Sequence, residues 1–155
     1  MDFVLFLGRF HVLVLHLPIG IILLAIALEW AARSEKYARL DAAAPLLWAT
    51  AAITAIVTVI FGYMHYAEGG FEGNAGNLHR ILGTALAVVT TIVWILRTRS
   101  QALYEKSRLV LAAVLLILVF TTGHYGGSLT HGSSYLFGAL APDSPVTGVS
   151  VASAD

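Results

Sequence analysis

The sequence predicts an all-α polytopic membrane protein, a four-helix transmembrane bundle. Three observations carry that prediction. Apolar residues make up 58% of the 155 residues and charged residues only 12%, against ~45–50% and ~25% in soluble domains. Four apolar stretches, Phe10–Trp30, Ala44–His65, Leu78–Leu96 and Leu109–Tyr125, each approach the ~20 residues a helix needs to cross a ~30 Å hydrocarbon core. Seven of the nine basic residues flank two alternate connections between these stretches. The same figures weigh against a soluble globular domain, a disordered chain or a nucleic-acid binder. A formal net charge of zero leaves no basic footprint for phosphates.

Span 1 is expected at about 10–32. No basic segment precedes it and no small-residue cleavage site follows, so it is expected to stay as a span and not to be removed as a signal peptide. Pro18 falls near its start, where a missing N–H costs least. The connection after it carries Arg33, Lys36 and Arg39. Span 2 is expected at about 44–66, with Asp41 as its cap and Pro45 in its first turn. The Gly-rich segment Glu68–Asn77 reads as a loop. Span 3 follows at about 78–97, then a connection carrying Arg97, Arg99, Lys106 and Arg108. Span 4 is expected at about 108–127, with Gly126–Ser134 as another loop. Residues 1–137 form the transmembrane domain and 138–155 an extended tail that needs a partner to become ordered. Lys and Arg mark cytoplasmic connections, so both termini are expected on the outer side of a bacterial inner membrane. Long aliphatic runs without period-2 alternation weigh against a β-barrel.

The chain has no cysteine and six histidines. Disulfides, thiolate-held zinc, iron–sulfur clusters and covalently attached c-type haem are thereby excluded. Up-down-up-down topology puts all six histidines in the outer half. Polar residues collect at helix ends in any case, but ionisable residues inside a membrane are costly and point to function. At ~1.5 Å per residue from the cytoplasmic ends, His16 and His124 lie ~24 Å up, His79 ~27 Å, His65 and His11 ~30 Å and His131 ~34 Å. His16, His79, His65 and His124 therefore share a layer and are the favoured ligands of an iron. His11 and His131 come second, nearer water.

Two short patterns recur. His16 and Gly20 are spaced like His79 and Gly83, 63 residues on. His65-Tyr66 and His124-Tyr125 each precede a glycine pair, 59 residues apart. This suggests a tandem repeat of two helical hairpins, pairing His16 with His79 and His65 with His124. Gly20, Gly62, Gly83 and Gly123 each lie within a turn of a histidine. They clear space for a flat macrocycle, or allow close helix packing. Bis-histidine haem b, one or two, fits such a set. A Cu, Zn or Fe ion also accepts imidazole, but Glu68, Glu72 and Met64 are the only further donors nearby. His11 and His16 are ~140° apart around a helix and do not readily share one small ion.

Arg9 and Arg80 border the histidine layer, as propionate partners or interfacial anchors. Glu29 reads as a carboxylate snorkelling to the interface. Thr50, Thr54 and Thr58 form a stripe of back-bonded hydroxyls, and Thr121 and Thr122 read the same way. Trp30, Trp48 and Trp94 read as one aromatic belt. Tyr63, Tyr66 and Tyr125 belong to the other belt or hydrogen-bond a cofactor.

The motifs His11-x4-His16-x-Pro18-Ile19, His79-Arg80, Gly123-His124-Tyr125-Gly126-Gly127 and Thr130-His131-Gly132 resemble a family of bacterial four-helix membrane proteins that carries a domain-of-unknown-function label. The resemblance runs from Phe10 to Gly132, and Gly-His-x-Gly-Gly is its most specific element. Val12 stands where the family pattern favours proline. Members are often fused to, or encoded beside, c-type cytochromes, so the resemblance implies a haem b or metal redox role. The expected function is a membrane-bound b-type cytochrome at the periplasmic side. It would exchange electrons among the quinone pool, an outer c-type cytochrome and a larger complex. It is expected to be an electron-transfer subunit more than a stand-alone enzyme. The alternatives are a structural subunit of such a complex and a histidine-ligated Cu, Zn or Fe protein.

Overall fold

In hydrocarbon every backbone N–H and C=O must be satisfied within the chain, which forces long apolar segments into helices. The computed structural model describes residues 3–71 and 73–132. Asp2, Glu72 and the tail expected at 138–155 lie outside the described residues. Span 1 comprises α1 (Phe3–Arg9), α2 (His11–Val14) and α3 (His16–Ala31). A 3-10 segment, Glu35–Ala43, leads into α4 (Ala44–Tyr66). Then come α5 (Asn74–Arg99) and α6 (Gln101–His131). Four segments are long and apolar enough to cross a membrane, and no strand occurs among the described residues. The expected four-helix transmembrane fold is what the structure shows.

The helices overrun their apolar runs, which corrects several boundaries. Span 1 begins at Phe3 and is interrupted at Phe10 and Leu15, both still in the right-handed helical region. Pro18 accounts for the second break, because it has no N–H to give the Val14 carbonyl. The loop after span 2 shrinks to residues 67–73, with Gly69, Gly70 and Gly73 at positive φ. Ser100 alone separates α5 from α6 (φ −148°, ψ 70°), so Arg97, Arg99, Lys106 and Arg108 ride on helices and not on a loop. The expected loop at Gly126 is helical to His131, and Gly132 ends it at φ 88°. Glycine is common in membrane helices, and here Ser128 Oγ bonds the His124 carbonyl at 2.8 Å. Asp41 does not cap span 2. It lies inside the 3-10 segment and accepts from Arg97 Nη2 at 2.6 Å.

The core occupies the middle and the basic end. Ile22, Ala25, Trp48, Ala51, Leu86, Val93 and Leu115 are buried there around Thr90. Trp48 is only 2% exposed and is therefore no belt residue, whereas Trp30 at 62% fits the belt. Glu29 does not snorkel. Its carboxylate accepts from Trp48 Nε1 at 3.0 Å, Arg97 Nε at 3.3 Å and the Tyr104 hydroxyl. A lone carboxylate is expensive in an apolar interior, and three donors from the other three spans lie nearer than water. The threonine stripe is back-bonded as expected, from Thr58 to Thr54, Thr54 to Thr50 and Thr50 to Leu46. In order around the bundle, α4 packs on α3 and α5, and α5 on α6. The seam between α3 and α6 is the thinnest.

Candidate functional site

At the opposite end, α1 crosses α4 backbone to backbone. Gly8 makes this approach possible, because a Cβ there would stand 2.6 Å from the His65 amide nitrogen. One turn further along α1 and α2, His11 lays its ring against Gly62, where a Cβ would meet Cε1 at 3.0 Å. His11 Nδ1 lies 2.9 Å from the Thr58 carbonyl oxygen. The second hairpin repeats the arrangement. His79 Nδ1 lies 3.0 Å from the Thr122 carbonyl oxygen, and a Cβ on Gly126 would stand 2.9 Å from His79 Cε1. Buried Gly76 precedes His79 as Gly8 precedes His11, though it packs under the Phe71 carbonyl and not against a neighbouring span.

The two halves therefore do repeat, in a different register from the expected one. Gly8-x2-His11 above Thr58-x3-Gly62 corresponds to Gly76-x2-His79 above Thr122-x3-Gly126. His11 pairs with His79, 68 residues on, in place of His16 with His79. Thr58 and Gly62 correspond to Thr122 and Gly126, 64 residues on, so His65 and His124 are not equivalent.

The chemistry of the pair follows from its partners. A carbonyl oxygen only accepts, so Nδ1 of each ring carries the hydrogen and donates. In its neutral form each imidazole is thereby held in one tautomer, whose Nε2 carries the lone pair. Metal-bound histidines are oriented by this same kind of Nδ1–H to carbonyl bond. The ring centres of His11 and His79 lie 6.1 Å apart with planes at 84°.

An open cleft of about 310 Å³ adjoins the pair, lined among others by Gly62, Gly83, Tyr63, Tyr66 and Arg80. Arg80 donates to Asn77 Oδ1 at 3.3 Å and lies over Tyr66 (4.7 Å to the ring centre) and Tyr63 (5.7 Å). All these partners are neutral. Arg9, by contrast, is paired with Glu68, Nε to Oε1 at 3.1 Å. Two side-chain atoms at this end are buried without a hydrogen bond among the described residues, His65 Nδ1 and Thr122 Oγ1. His65 Nδ1 comes within 3.3 Å of Glu68 Oε2, but not at a hydrogen-bonding angle. Thr122 is thus not back-bonded as expected, while Thr121 bonds the Ile117 carbonyl at 2.7 Å.

Of the residues singled out from sequence, the structure gathers His11, His79, Gly62, Gly83 and Arg80. His65 sits one turn beyond Gly62 with its ring against Phe71. His16 is exposed and Gly20 beside it faces open space. His124 lies against Tyr125, Gly123 faces open space, and His131 is exposed at the last turn of α6. Sequence reasoning missed Gly8 and the carbonyls of Thr58 and Thr122, and it did not place Gly126. Their signal was present as the doubled Gly-x2-His and Thr-x3-Gly spacings.

The donor set discriminates between ligands. Among the described residues, no three His, Cys, Asp or Glu side chains converge as a metal site. Two imidazoles leave a bare ion short of the four ligands a structural zinc takes. A metalloporphyrin brings its own equatorial nitrogens and asks the protein for two imidazoles, and Gly62 and Gly83 line the cleft beside the pair.

A family model described as "Predicted membrane protein (DUF2231)" matches residues 9–134, a stretch that contains all six histidines. No curated protein and no solved structure matches the chain.

Proposed function

The chain belongs to that family of predicted membrane proteins, and within it we propose that this member is a b-type cytochrome holding one haem between His11 and His79. The observation that carries the proposal is the facing pair of imidazoles, each with Nδ1 bonded to a main-chain carbonyl of the next span. When bound, haem supplies one-electron redox chemistry. The chain's own residues do the rest. His11 and His79 would hold the group, and the Thr58 and Thr122 carbonyls fix the orientation of the two rings. Gly62 and Gly126 let the rings lie flat against α4 and α6. Arg80, held by neutral partners, is available to a propionate.

Held by both His11 and His79, such a group would suit electron transfer more than the binding of an exogenous ligand. With the basic ends in the cytoplasm, the histidine end faces the periplasmic side of a bacterial inner membrane. There the centre would exchange electrons with the quinone pool, an outer c-type cytochrome or a larger complex.

The test is the visible spectrum of protein produced with ample haem supply, oxidised and dithionite-reduced. A Soret band and a reduced α-band are expected. His11→Ala and His79→Ala should each abolish the native spectrum, while His16→Ala, His124→Ala and His131→Ala should retain it. A colourless wild-type preparation refutes the proposal. Retained spectra in both His11 and His79 variants refute the ligand assignment.

A further inference from the structure

We propose that the cavity between spans 1 and 4 at the basic end binds an anionic phospholipid, with its phosphate on Arg33 and Arg108 and its acyl chains along the α3–α6 seam. The cavity is an open groove of about 410 Å³, counted with the open space at its mouth, and lies where the bundle is most thinly closed. Its floor is apolar, with Ile26, Val93 and Leu115, and its outer wall on α6 includes Ala112 and Leu109, the latter 59% exposed. Such a groove opens sideways toward lipid and not toward water.

Its mouth is cationic. Arg33 stacks on Trp30, with Cζ 4.2 Å from the ring centre, and has no carboxylate partner among the described residues. Arg108 lines the same cavity and pairs with Glu105 on its own helix, Nη1 to Oε2 at 2.8 Å. The one lining carboxylate, Glu29, is already taken by Trp48, Arg97 and Tyr104. Arg33 is therefore the surplus charge of the cavity. A phosphate diester offers one negative charge and acceptor oxygens that suit the planar guanidinium fork. Exposed Trp30 beside it marks the depth at which head groups sit. Basic pockets between transmembrane helices are known takers of anionic head groups. A free phosphate would satisfy the arginines but leave the apolar walls unused, so the lipid is the better occupant.

Native mass spectrometry of the delipidated full-length protein tests this, with phosphatidylglycerol, phosphatidylcholine and glycerol 3-phosphate as separate probes. Phosphatidylglycerol should be retained over phosphatidylcholine, and glycerol 3-phosphate should not be retained. Arg33→Gln should weaken phosphatidylglycerol binding about fivefold, the usual worth of one basic residue near a lipid surface. Arg33 is exposed, so this variant should keep the wild-type helicity. Ala112→Phe, which fills the cavity, should displace both lipids. Equal retention of the two lipids overturns the proposal, as does an Arg33→Gln protein that binds like wild type. Retention of glycerol 3-phosphate as strong as that of the lipid makes this a soluble-anion site and overturns the lipid assignment.

Discussion

Gly62→Ala should weaken haem binding while leaving the stability of the haem-free protein nearly unchanged, two readouts that one methyl group separates. The added Cβ would stand 3.0 Å from His11 Cε1 and 3.1 Å from Nδ1, tighter than ordinary contact. The ring must tilt by a few tenths of an ångström, and its 2.9 Å bond to the Thr58 carbonyl lengthens. Losing that bond costs about 0.5–1.5 kcal/mol, and disturbing the orientation of a ligating histidine costs 10–100-fold in affinity. An increase of about tenfold in the haem dissociation constant is expected. In the haem-free protein the same contact and hydrogen bond are present, so the gain of up to about 1 kcal/mol from alanine in place of an interior helical glycine is offset by the weakened bond and the melting temperature should change little. Haemin titration and thermal melting of the haem-free protein read the two effects separately. Gly123→Ala is the control, because its Cβ meets nothing within 4 Å and haem affinity should be unchanged. If Gly62→Ala and Gly123→Ala bind haem equally, the contact between Gly62 and His11 does not set the ligand.

Gly8→Ala should cost about 1–3 kcal/mol, an overpacking penalty, because its Cβ meets the α4 backbone and not a movable side chain. Thermal melting should show the loss with or without haem. Arg97→Leu should destabilise the bundle by about 3–5 kcal/mol by stranding the Glu29 carboxylate, whereas Glu29→Gln/Arg97→Gln together should cost much less; denaturation of the three proteins in one detergent compares them. Arg80→Gln should lower the reduction potential by tens of mV, since removing a cation disfavours the added electron. Arg9→Gln should shift it less, because Glu68 already balances Arg9; a spectroelectrochemical titration separates the two. Finally, the dithionite-reduced protein should keep its spectrum under carbon monoxide, and His79→Ala reconstituted with haem should show a carbon monoxide adduct.

The spans were legible because hydrocarbon imposes one requirement on every residue, and mean hydropathy over some twenty residues reads it directly. Their ends were not, because helices continue into water with polar side chains, as α5 does to Arg99 and α6 from Gln101. That the histidines gather at one end was legible from topology. Which two rings come together, His11 and His79, was not, because heights counted along straight rods from the apolar boundaries miss where span 1 begins. Span 1 begins seven residues before Phe10, so His11 is well inside its span and not at the edge. Glu29 and Trp48 were misplaced for a related reason. Composition places polar groups near the interface, and only the packing reveals that they satisfy one another.

The doubled arrangement has a consequence for how the centre comes into being. Each hairpin carries what it needs to present one imidazole, namely the histidine, the glycine under it and the carbonyl beside it. Neither hairpin alone offers the second ligand. A single hairpin of half this length, associating with a second copy of itself across a two-fold axis, would offer the same two imidazoles. On the proposed reading, a chain whose second hairpin has not yet joined the first would present only one of the two imidazoles, so the paired site would form only once the two halves have docked.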